Sequence, residues 1–82
     1  MWIKDLMDAL RRIAREPNAA DVGLLTAERY VREFVDQYVG DPQVGIDEII
    51  KAVRAEAQAR PSEKDFWMGV HEFVVLPNRF RP

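Results

Sequence analysis

Prolines at positions 17, 42 and 61 divide the chain into segments of about one secondary-structure element each. Proline has no amide proton to donate, and its ring disfavours helical backbone in the residue before it, so a helix rarely runs through one. Between the prolines the apolar residues recur at i, i+3, i+4 and i+7, the period of a helix with one buried face. The spacing predicts helices over 2–16, 27–39, 46–60 and 62–76. Short connections favour antiparallel neighbours. The expected fold is therefore all-α, a small compact bundle of three to four amphipathic helices forming one domain over 1–82, with 77–82 as a short C-terminal tail.

The segments differ in detail. In the first, Trp2, Ile3, Leu6, Met7, Leu10, Ile13 and Ala14 fill one arc, and Lys4, Asp8, Arg11, Arg12 and Arg15 the other. Pro17-Asn18 should end it. Residues 18–25 read as a loop or a short helical turn capped by Asn18 or Asp21, with Leu24 and Leu25 buried. Thr26 suits the N-cap of the second helix, whose stripe is Ala27, Tyr30, Val31, Phe34, Val35, Tyr38 and Val39. Gly40 is a C-terminal stop, and Asp41-Pro42 blocks continuation. The third helix carries a narrow stripe of Ile46, Ile49, Ile50, Val53 and Ala57.

The last segment is apolar nearly all round. Phe66, Trp67, Val70, Phe73 and Val74 occupy one side, and Met68, Val75 and Leu76 the other. Ser62 followed by Asp65 resembles a capping box. A rival reading ends the helix near residue 70 and continues as a short strand over 72–76, which would need pairing from outside the chain. The helical reading is preferred.

Most chemistries lack their groups. There is one Ser (Ser62), one Thr (Thr26), one His (His71) and no Cys. Both hydroxyls are explained as caps, and His71 and Glu72, adjacent on a helix, point about 100° apart and so do not face each other. No nucleophile stands beside a base, so no catalytic residue and no enzyme is expected. Neither metal nor cofactor is expected, because thiolates, a second His and a Gly-rich phosphate loop are missing. Charges at Lys4, Asp5 and Asp8 interrupt the first apolar pattern, so no signal peptide is expected. No run approaches the roughly 18 apolar residues that span a bilayer. The protein is expected to be cytoplasmic, with no membrane partner.

Two binding functions remain. Aromatic residues, Met and Arg are enriched at protein interfaces. The final segment supplies Trp67, Met68, Val75, Leu76, Arg79, Phe80 and Arg81. The favoured expectation is a small non-enzymatic module, of inhibitor, immunity or adaptor type, that binds another protein through these residues. A homodimer through the same surface is a variant of it. The alternative is a helix-turn-helix-like DNA-binding regulator using Lys51, Arg54 and Gln58 on the third helix, with Arg11 and Arg15 in support. Against it stand the formal net charge of −2, the long turn GDPQVG, and Asp47 and Glu48 at the start of the helix that would enter the groove.

Overall fold

The computed structural model describes residues 2–76. They form four α-helices: α1 (Ile3–Ala14), α2 (Leu24–Asp36), α3 (Pro42–Ala59) and α4 (Lys64–Val75). No strand occurs among the described residues, and α4 stays helical through 72–75 where a strand was the rival expectation. The Cα radius of gyration, 11.7 Å, equals that of a compact chain of this length.

The helix directions follow from which residues meet. Ala9 and Ile13 border Thr26 and Tyr30, whereas Trp2 and Ile3 border Phe34 and Val39, so α1 and α2 are antiparallel. Ile3 shares a groove with Glu48, and Arg11 bonds Glu56, the same offset of 45, so α1 and α3 are parallel. The turn at Pro61–Glu63 folds α4 back along α3, and Arg54 meets His71 across that pair. The bundle thus runs up, down, up, down. α2 packs against all three other helices, and α3 and α4 form the closest pair.

One core joins them. Trp67, Phe34, Phe66, Leu6, Leu10, Ile49, Val31, Val53 and Val70 are its largest fully buried side chains. These are largely the stripes the helical period predicts. A partly exposed ionic network lies at its border: the Arg11 guanidinium donates to Glu56 through Nε (2.7 Å), with Nη2 paired to the same carboxylate (2.6 Å), and to Asp8 (3.0 Å), and Arg60 Nε also donates to Glu56 (3.0 Å). It ties α1 to α3.

Four boundaries differ from the sequence reading. Residues 19–23 form a wide π-helical turn leading directly into α2, with both the Asp21 and the Gly23 amides donating to the Asn18 carbonyl at 3.1 Å. α2 therefore starts at Leu24, Thr26 lies inside it, and neither Asn18 nor Asp21 caps through its side chain. A side chain at Gly23 would meet Ile13 Cγ2 at 2.9 Å, which is why glycine closes this turn. Leu24 is only partly buried against Gly69, and Leu25 is exposed, contrary to expectation.

The Asp41-Pro42 pair opens a helix instead of blocking one. Asp41 is the N-cap of α3, its carboxylate accepting from the Gln43 amide at 2.9 Å, and Pro42 fills the first helical position, where no amide proton is needed. α2 ends earlier, at Asp36, which leaves Tyr38 and Val39 in the connector. Gly40 has φ +114° within that connector, a conformation glycine alone adopts readily. The Ser62 capping box does not form; Pro61–Glu63 is a single 3-10 turn, and Glu63 serves Trp67 instead.

Candidate interaction surface

The seven residues expected to contact a partner separate into three groups. Trp67 belongs to the core. It is fully buried, stands edge-on to Phe66 with ring centroids 5.1 Å apart, and its indole N–H donates to Glu63 at 3.0 Å. A tryptophan is buried at low cost only when that N–H finds an acceptor, and Glu63, one turn earlier, supplies it. Its expected role as a contact residue is therefore corrected: α4 turns its Trp67 side inward and its Met68 side outward, about 100° away.

Met68, Val75 and Leu76 are exposed. Asp65, Met68, Glu72 and Val75 form an outward stripe along α4, so the helix is not wrapped on every side. Arg79, Phe80 and Arg81 lie outside the described residues.

The sequence reading missed the most exposed apolar residues. Trp2 is 80% exposed and Val39 is 94% exposed. Together with Ile3, Phe34, Tyr38 and Glu48 they line one groove of about 450 Å³. Trp2 sits before the first turn of α1, with extended backbone, so it leaves the apolar arc of that helix. Val39 leaves the α2 stripe because α2 has already ended. Val44, also exposed, follows in the first turn of α3. Gly45 lets that turn approach the connector: its backbone lies so near Tyr38 that a Cβ there would come 2.8 Å from the ring.

The helix directions bring these features to one end of the bundle. The start of α1, the end of α2, the start of α3 and the end of α4 all lie there. Carried back one turn at a time from the Arg54–His71 contact, the α3/α4 pairing sets Val75 and Leu76 about level with Ile50 and Ile49. This end therefore presents Trp2, Val39, Val44, Val75 and Leu76, five of the eight large hydrophobic residues exposed among the described residues.

The same end is acidic. Residues 33–50 hold Glu33, Asp36, Asp41, Asp47 and Glu48 and no Lys or Arg, whereas the rest of the chain holds twelve Lys or Arg against nine Asp or Glu. Among the described residues none of these five joins an ion pair. Glu33 and Asp36 also occupy the end of α2, where the helix dipole favours a cation.

The residues of the DNA-binding alternative do share a face. Lys51, Arg54 and Gln58 line a shallow depression on α3 with Asp47, Ile50 and Ala55. Arg54 Nε donates to His71 Nε2 at 3.2 Å, which draws it toward α4. Arg11 is occupied by Glu56 and Asp8. Its hydrogen bond to Glu56 is the main cause raising its pKa above the ordinary arginine value, against the opposing effect of burial. Arg15 is exposed but caps the far end of α1, so it does not join Lys51 in one patch.

Among the described residues no cluster of three or more His, Asp or Glu side chains is arranged to hold a metal ion, and no helix is long and apolar enough to cross a membrane. Comparison with protein-family models, with curated proteins and with solved structures gives no match.

Proposed function

We propose that the protein is a small non-catalytic binding module that docks another protein on the apolar end of its bundle. The observation that carries this reading is the groove flanked by Trp2 and Val39, the two most exposed of the large apolar side chains among the described residues. Contiguous exposed apolar surface with aromatic anchors is the usual mark of a protein interface. Val75 and Leu76, at the end of α4, are further exposed apolar residues that a partner could cover. The proposed site is built on the described residues; Arg79, Phe80 and Arg81, expected contacts by sequence, lie outside them. Inhibition, immunity and adaptor roles all need such a surface and no reacting group. The protein would work in the cytoplasm.

The second reading, nucleic-acid binding, draws on Lys51, Arg54 and Gln58 sharing one depression. Capture from a lysate of the native host separates the two. The bait carries its tag on a long flexible linker, because the start of α1 and the end of α4 both lie at the proposed site. A protein retained by the wild type and by Lys51→Glu/Arg54→Glu, with or without nuclease, but lost with Val39→Asp, is the expected result. Loss with the α3 double variant or with nuclease would replace this reading with the nucleic-acid one.

A further inference from the structure

The charge of the apolar end bears on what can sit there. We infer that its occupant is a cationic apolar segment of a partner protein, a stretch carrying Lys or Arg beside large hydrophobic side chains. The inference rests on the binding reading above and adds the partner's chemistry to it.

The groove offers Trp2 and Val39 to an apolar anchor above the buried Phe34 ring, and Glu48 lines its wall. Asp36, at the end of α2, adds to the negative potential of that end, whereas Asp47 lines the α3 depression with Lys51 and Arg54. Charges at an interface rim steer encounter and select the partner's sign, which adds to what apolar burial contributes. Two other occupants fit less well. A second copy placed by a two-fold axis would set this acidic end against itself, since such a contact uses the same patch on both subunits. A nucleic acid would bring phosphates to carboxylates. Asp36 points the same way, because at a helix C-terminus an acid forgoes the dipole stabilisation that a Lys would gain.

The test places a photo-reactive benzoylphenylalanine at position 39 of the full chain in its native host. Irradiation is followed by mass spectrometry of the attached segment. The same experiment is repeated in Asp36→Lys/Glu48→Lys, with circular dichroism confirming its helices. The inference expects an attached segment richer in Lys and Arg than in Asp and Glu, with at least one large apolar residue, and an adduct yield about tenfold lower after charge reversal. An acidic or neutral segment whose yield ignores the reversal would overturn the inference and leave the binding reading standing. Attachment to another copy, or to residues 77–82 of the chain itself, would overturn it by naming a different occupant. No adduct at position 39, with the probe verified in the protein, would defeat the binding reading and this inference together.

Discussion

Replacing Trp67 and Met68 one at a time should separate core from surface at two adjacent positions of α4. Trp67 is fully buried and Met68 is 43% exposed. A tryptophan buries roughly 150–250 Å². At about 25 cal/mol per Å² that corresponds to roughly 4–6 kcal/mol for the whole side chain. Alanine keeps part of that but leaves a cavity, which gives a loss of about 3–5 kcal/mol for Trp67→Ala. A domain of this size has a total stability of roughly 4–12 kcal/mol, so the variant sits close to unfolding. Trp67→Phe is the gentler test. It keeps a ring against Phe66 but removes the indole N–H that Glu63 accepts, at a cost of about 1–2 kcal/mol. Urea unfolding followed by helical circular dichroism reads the difference. With a slope of about 1 kcal/mol/M, Trp67→Phe should lower the midpoint by roughly 1–2 M. Met68→Glu should stay within about 0.5 kcal/mol of the wild type, as outward-facing substitutions do. Equal losses from Trp67→Phe and Met68→Glu, or no loss from Trp67→Phe, would refute the assignment of Trp67 to the core.

Three further outcomes follow from single contacts. Asp41→Ala removes the N-cap of α3 and should cost about 1 kcal/mol in urea unfolding, with Asp41→Asn recovering most of it. Gly45→Ala sets a gain of roughly 1 kcal/mol in helix propensity against a Cβ driven toward the Tyr38 ring, and overpacking of about 1–3 kcal/mol should win; a lowered melting temperature is expected, relieved in a Tyr38→Ala background. A double-mutant cycle on Arg11→Met and Glu56→Gln should give a coupling on the order of 1 kcal/mol, since the pair is partly buried and shared with Asp8 and Arg60.

Much of the core was legible because helical periodicity reports burial directly. Leu6, Leu10, Val31, Phe34, Ile49 and Val53 sit on the predicted stripes and are buried. The boundaries were less legible where one residue pair serves two purposes. Asp-Pro can follow a helix or begin one, and here it begins α3, four residues before the apolar stripe starts. That shift carries Val39 off its helix. Trp2 was misjudged for a related reason: the arc drawn through it assumes that the helix has already started. The C-terminal segment looked apolar all round because adjacent positions 67 and 68 are both large, and periodicity does not say which of two such neighbours faces in. The apolar end itself was hidden from sequence reading. It is built by residues from 2 to 76 that meet only once the four helices take their directions, and those directions depend on contacts such as Arg11–Glu56 between residues 45 apart. The acidic run 33–50 was present in the sequence, but only the fold shows that it ends beside Trp2 and Val39.

The central claim is that this end is where another protein binds. It is tested most directly by mapping amide and indole chemical shifts of the ¹⁵N-labelled protein as the purified partner is added. The account predicts shifts centred on the Trp2 indole, Val39, Val44 and Glu48, with Lys51, Arg54 and Gln58 little changed. A footprint centred on Lys51, Arg54 and Gln58, with the Trp2 indole unmoved, would contradict it.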